Sequence, residues 1–163
     1  MNVLHTFTIF HVLLSLVGIA AGFVVVFGLL GANRLPHWTA VFLWTTVLTT
    51  VTGYMFPFHQ FKPSYVVGVF SLIALALAIY ALYVKKLAGG WRSVYVIDAA
   101  IAQYLNFFVL IAQLFQKVPA LKALAPTQTE APFALTQLVA LVIFVVLAIL
   151  ATRRFRHEEL RTA

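Results

Sequence analysis

Three histidines and one glutamate are the residues whose types fit metal or haem chemistry. His5, His11 and His59 fall at or near the same ends of the predicted helices, and Glu130 falls in a loop at that end. Imidazoles and carboxylates bind Zn²⁺ or Cu²⁺, and two opposed imidazoles ligate haem. No H-x-x-x-H or H-E-x-x-H spacing accompanies them, and we expect His11 and His59 at different depths. The chain has no cysteine, so a thiolate site is excluded. A b-type haem or a divalent metal bound by these histidines and the glutamate is kept as an alternative hypothesis.

A second set of polar residues lies within one apolar segment, over residues 93–116. At about 100° per residue they share one helical face. Asp98 is the only acidic residue within a predicted span, where an ionised carboxylate costs about 2.5–3.5 kcal/mol or more. An ion pair with nearby Arg92 is an equal interpretation. The stripe predicts either hydrogen bonding between helices or the lining of a ligand site or proton path, and it comprises Tyr95, Asp98, Gln103, Asn106 and Gln113.

Small residues recur at helical spacing in the first two predicted helices. Such residues let two backbones approach closely, so these rows predict a packing seam. His11 falls at one end of this seam, where a hydrogen bond to a neighbouring helix is the simplest expectation. The seam comprises Ser15, Gly18 and Gly22 in the first helix and Thr46, Thr49 and Gly53 in the second.

The composition sets the class of protein. The chain is 63% hydrophobic and 9% charged, and its mean hydropathy is +1.02. A soluble domain of this size needs more surface charge, and the apolar runs are long and continuous, which is typical of membrane helices. The sequence therefore predicts one all-α membrane domain over residues 1–163, a bundle of five transmembrane helices at 3–30, 37–56, 64–84, 93–116 and 133–152.

The basic residues predict an orientation. Positive residues favour the cytoplasmic side, so we expect the N-terminus outside, a loop over 117–132 outside and a cytoplasmic tail over 153–163. The net charge of +7 is explained by membrane flanks, and nucleic-acid binding is not expected. The cytoplasmic set is Arg34, Lys85, Lys86, Arg92, Arg153, Arg154, Arg156 and Arg161, against Lys62, Lys117 and Lys122 on the other face.

Two stretches carry a family resemblance. One runs from HVLLSLVGIAAGF through TTVLTTVTGYMFPF, and the other is FQKVPALKALAPTQTEAPF. They are similar to a group of small, uncharacterised five-helix bacterial inner-membrane proteins. The resemblance implies a bacterial inner membrane and an intact five-helix unit, and it carries no site or activity to this chain.

The leading functional hypothesis is a binding or accessory protein, because catalysis requires juxtaposed titratable groups and the predicted spans hold few. Such a protein holds a hydrophobic ligand or a partner subunit between its helices. The partner subunit can also be a second copy of the same chain, which would form a homo-oligomer. The alternatives are a redox protein that uses the histidines of the outer face, and a proton or small-solute path along the fourth helix.

Overall fold

The computed structural model describes residues 3–56 and 63–157, and at residues 63, 64, 156 and 157 it describes the backbone alone. Within these residues all regular structure is helical. The elements are α1 (Val3–Leu30), α2 (Pro36–Tyr54), α3 (Pro63–Ile79) with a π-helical turn (Tyr80–Val84), α4 (Trp91–Lys117), α5 (Pro119–Leu124) and α6 (Ala131–His157).

The prediction of an all-helical chain is confirmed for the described residues, and four of the helices are long and apolar enough to cross a membrane. They are α1, α3 with its π-helical turn, α4 and α6. The remaining predicted span, α2, has 19 residues, about 28 Å of helix. It is less apolar because it carries threonines at 39, 45, 46, 49, 50 and 52.

The α1–α2 pair forms the most extensive contact in the bundle, and α4 packs against α1, α3 and α6. α1 and α2 run antiparallel along their whole length. Phe7 packs against Phe56 at one end, with ring centroids 5.0 Å apart, and Gly28 lies against Leu35 at the other.

The described arginines gather at one end of the bundle, which we call the basic end; the opposite end, which carries α5, is the distal end. At the basic end Arg154 donates from Nη1 to the Leu30 carbonyl at 3.3 Å, and Arg92 donates to the Phe155 carbonyl at 3.4 Å. Both acceptors lie in the last turn of a helix, where carbonyls lack partners and a cation is favoured. The charges therefore also stabilise the helix ends.

The prediction of a loop over 117–132 is wrong in one part, because this segment contains α5. Pro119 occupies the first turn of α5, where its missing N–H is not needed and its fixed φ favours a helix. The last helix also extends beyond the predicted 133–152, so Arg153 and Arg154 belong to α6 rather than to a separate tail.

Candidate functional site

The packed interior divides into two apolar clusters. The larger one lies toward the basic end and combines residues of α1, α2, α3, α4 and α6, among them Phe42, Leu75 and Tyr95. The smaller one lies at the distal end and combines Ile111 and Phe115 of α4 with Ala125 and Ala140. The distal parts of α1, α2 and α3, over residues 3–17, 47–54 and 65–70, contain no buried residue. The first three helices are thus loosely joined to the others at this end.

One face of α4 follows this change in packing. Toward the basic end the face is buried, at Tyr95, Ala99 and Ala102. Farther along the same arc of about 60°, Asn106 is half-buried and Gln113 and Lys117 are exposed. Because this face points into the bundle elsewhere, we infer from its exposure that α4 separates from the α1–α2 pair toward the distal end. We call the resulting opening the distal cleft and define it by His11, Ser15, Thr49, Thr52, Asn106, Gln113 and Lys117.

Three side chains of the predicted polar stripe bond to neighbouring helices. Tyr95 Oη lies 3.3 Å from Thr39 Oγ1 on α2. Asn106 Nδ2 donates to Thr46 Oγ1 at 3.1 Å, and Gln103 Nε2 donates to the Ile19 carbonyl of α1 at 2.9 Å. These bonds connect α4 to both α1 and α2 and place Asn106 at the base of the cleft. Gln113, at the other end of the stripe, is exposed and lies at the mouth.

Asp98 is buried on α4, with 8% of its surface exposed. Arg92 contacts Phe155, with its guanidinium 5.3 Å from the ring centroid. Among the described residues no ion pair joins Arg92 to Asp98, and none bonds the Asp98 carboxyl. Asp98 therefore belongs to the buried part of the stripe, away from the cleft.

The predicted small-residue seam lies where α1 meets α2. A Cβ on Gly18 would stand 3.1 Å from Thr45 Oγ1, and a Cβ on Gly22 would collide with the amide of Gln103 and with Phe42. Gly22 thus gives space to a side chain of α4 as well as to α2. Ser15 Oγ donates to the His11 carbonyl of its own helix at 2.8 Å.

The ring of His11 is held on several sides. Its Nδ1 lies 2.9 Å from Thr52 Oγ1, its Cε1 would stand 3.6 Å from a Cβ on Gly53, and the Phe56 ring lies edge-on with centroids 5.1 Å apart. The hydrogen bond to a neighbouring helix that the sequence predicts is therefore present.

The tautomer of His11 follows from the partners of Thr52. The Thr52 hydroxyl donates its one proton within its own helix, to the Leu48 carbonyl at 2.7 Å, with the Thr49 carbonyl at 3.1 Å. It can then only accept from His11, so Nδ1 carries the proton in the neutral ring. No described residue bonds Nε2, which leaves its lone pair for a ligand.

The described candidates among the other metal ligands, His5 and Glu130, do not form a metal-binding group with His11. His5 is exposed on the first turns of α1, and His59 lies outside the described residues. Glu130 accepts hydrogen bonds from the Thr127 hydroxyl at 2.9 Å and from the Thr129 N–H at 3.1 Å. Within the described ranges, no group of three His, Asp or Glu side chains is placed to hold a metal ion.

Glu130 instead organises the turn before α6. Burial acts to raise the pKa of its carboxyl, but the hydrogen bonds from Thr127, Thr129 and the backbone outweigh it and lower the pKa. Its charge also lies at the start of α6, where the helix dipole favours an anion. Gln128 fixes the same turn to α4, because its Nε2 donates to the Ala112 carbonyl at 2.7 Å.

Sequence reasoning missed Thr52, Phe56 and Lys117 as parts of the site. Lys117 is close enough for its charge to act on the His11 ring. A signal for Thr52 exists, since Thr45, Thr49 and Thr52 recur at helical spacing along α2.

No known protein family matches the chain, and neither a curated protein nor a solved structure matches it.

Proposed function

We propose that this chain is a five-helix protein of the bacterial inner membrane that binds a hydrophobic or amphipathic molecule in the distal cleft. The observation that carries the proposal is the exposure of one α4 face, at Gln113 and Lys117, which points into the bundle elsewhere. Small-molecule sites are concave and carry a few placed polar groups that fix the orientation of the ligand.

The proposed membrane arrangement includes α2 as a fifth span. It runs beside α1 from end to end and has nearly the length of the ~30 Å hydrocarbon layer. Its threonines lower its hydropathy, but hydroxyls such as Thr45 and Thr50 donate to carbonyls of their own helix at 2.7 and 2.8 Å. A hydroxyl satisfied in this way costs less in lipid. The basic end then faces the cytoplasm and the N-terminus faces outward.

Single-cysteine labelling tests this arrangement cleanly, because the chain has no cysteine of its own. We expect an impermeant thiol reagent added outside intact cells to label Met55→Cys, just after α2, and to leave Arg34→Cys, just before α2, unlabelled until the membrane is opened. Equal labelling of both variants from outside would contradict a crossing by α2.

Native mass spectrometry of the purified protein tests the binding function. The wild type is expected to retain a lipid-sized adduct, and Gln113→Trp is expected to lose it because the indole fills the cleft. Leu135→Trp is the matched control, since Leu135 lies at a similar depth on the exposed face of α6. No adduct on any variant, or the same adduct on all three, would refute binding in the cleft. A retained polypeptide would indicate a partner subunit instead.

The tautomer of His11 favours a second candidate, a b-type haem with this residue as axial ligand. Ligating histidines commonly donate their other ring N–H to an oxygen, as Nδ1 does to Thr52. The optical spectrum of protein from haem-replete cells decides this. A haem absorption that disappears in His11→Ala would support it, and a colourless protein would exclude it.

A further inference from the structure

We propose that the distal cleft prefers amphiphiles with an acidic head group and that Nε2 of His11 binds this head group. The inference rests on the proposed function and specifies its ligand. It follows from three observations: the fixed tautomer of His11, the charges around it, and the depth and walls of the cleft.

Nε2 is the one ring nitrogen that His11 has available. Thr52 occupies Nδ1, and Gly53 and Phe56 hold the plane of the ring. A neutral imidazole in this state accepts a hydrogen bond at Nε2, and the protonated ring donates one. A carboxylic acid or acid phosphate serves either state, because its O–H donates to Nε2 or its anion accepts from Nε2–H. When the proton moves from head-group oxygen to Nε2, a neutral pair becomes an ion pair and no other group changes.

The charges near the cleft also favour an acidic head group. The charge of Lys117 on α4 acts on the His11 ring, and the residues that hold the ring, Thr52 of α2 and Phe56 just after α2, carry no charge. Asp98 precedes Lys117 by 19 residues on α4, about 28 Å along the helix. The Glu130 carboxylate is bonded to Thr127 and Thr129. A cationic head group would therefore meet Lys117 and no free carboxylate among the described residues.

The depth of His11 suits a head group at the membrane surface. α1 has 28 residues, about 42 Å of helix, which is roughly 12 Å longer than the hydrocarbon layer. His11 lies eight residues after Val3, about 12 Å along the helix. When the extra ~12 Å of α1 projects from the membrane at the distal end, His11 lies at the boundary between hydrocarbon and head groups. Leu110, one turn beyond Asn106 on α4 and about 40° from it around the helix, is half-buried and provides an apolar contact for a chain.

Binding of three single-chain amphiphiles to the full-length protein in a non-ionic detergent tests the preference. The probes share a dodecyl chain and differ in the head: dodecanoate, dodecanol and dodecyltrimethylammonium. Titration calorimetry is expected to give dodecanoate an affinity about tenfold or more above dodecanol, as a charge-assisted hydrogen bond provides. The ammonium probe is expected to bind most weakly.

Three variants identify the residues. His11→Gln is expected to reduce the affinity for dodecanoate to that for dodecanol, and Lys117→Gln to reduce it in part. His5→Gln is the control, an exposed histidine on the same helix. His11→Gln also removes the bond between His11 and Thr52, so a second measurement uses the wild-type protein. The ¹⁵N resonance of His11 Nε2 is expected to change on adding dodecanoate and not on adding dodecanol.

Each result is decisive. Equal affinity for the three probes, or a preference for the ammonium, would overturn the acidic preference while leaving binding in the cleft intact. An unchanged Nε2 resonance with saturating dodecanoate would remove His11 from the site. Failure of all three probes to bind would refute the proposed function itself and this inference with it.

Discussion

Gly22→Ala is the substitution for which the structure makes the sharpest prediction. A Cβ at this position would collide with the Gln103 amide and would lie 2.8 Å from Phe42 Cε2. Neither neighbour has space to move, since Gln103 and Phe42 are both 0% exposed. The methyl group therefore forces Gln103 out of its place or pushes α1 away from α2 and α4.

The cost has three parts. Displacing Gln103 breaks its bond to the Ile19 carbonyl and leaves a buried amide without a partner, at about 1–3 kcal/mol. Overpacking adds about 1–3 kcal/mol. The higher helix propensity of alanine returns at most about 1 kcal/mol. With the gain in helix propensity subtracted from the two costs, we expect Gly22→Ala to lower the free energy of unfolding by about 1–5 kcal/mol.

Reversible unfolding in mixed micelles measures this difference, with two matched glycines for comparison. Gly18→Ala is expected to have a smaller effect, because its Cβ would stand no closer than 3.1 Å to the Thr45 hydroxyl and 3.4 Å to the Thr46 hydroxyl. Gly90→Ala is expected to be neutral, since nothing lies within 4 Å of its Cβ and its φ is −63°. In a Gln103→Ala background, Gly22→Ala should cost less. Equal stability of Gly22→Ala and Gly90→Ala would refute the packing described here.

Three further predictions concern the distal turn and the buried acid. The pKa of Glu130 is lowered in the folded protein, so its carboxylate stabilises the turn fully above the ordinary glutamate pKa. This stabilisation is lost as the pH falls through the lower folded pKa. NMR titration of the Thr129 amide should follow this loss in the wild type and not in Glu130→Gln. Gln128→Ala removes the bond to the Ala112 carbonyl and should speed tryptic cleavage after Lys122, with Thr136→Val as a control of unchanged rate. Proton flux into proteoliposomes is expected to be equal for wild type and Asp98→Asn, because Gln103 and Asn106 are already bonded to α1 and α2; a lower flux in the variant would support a proton path along α4.

The helices themselves were predictable, because a continuous apolar run in lipid must pair its backbone groups within the segment. The polar face of α4 was predictable from helical periodicity, since at about 100° per residue Tyr95 and Asn106 fall on one side of the helix. The fit of Gln103 against Gly22 was not, because spacing within α1 does not tell which helix lies opposite. A glycine that faces α4 has the same sequence pattern as one that faces α2.

Two features of the distal end also lay beyond the sequence. The prolines of 117–132 predicted a loop, although Pro119 is also well placed to start a helix, and local sequence alone did not decide between them. The opening of the cleft depends on how α1 and α2 pack against α4 over their length. Gln113 and Tyr95 have equivalent positions on the helical face, yet one is exposed and the other is buried.

Covalent mapping of a bound amphiphile tests binding in the distal cleft most directly. A dodecanoate that carries a photoreactive diazirine near its head group is irradiated with the full-length protein, and the modified peptides are identified by mass spectrometry. We predict that modification concentrates on the distal segments of α1, α2 and α4, around His11, Thr52 and Gln113, and that unlabelled dodecanoate competes it away. Modification spread over the exposed face of α6, or unaffected by the competitor, would show ordinary lipid contact and contradict a specific site.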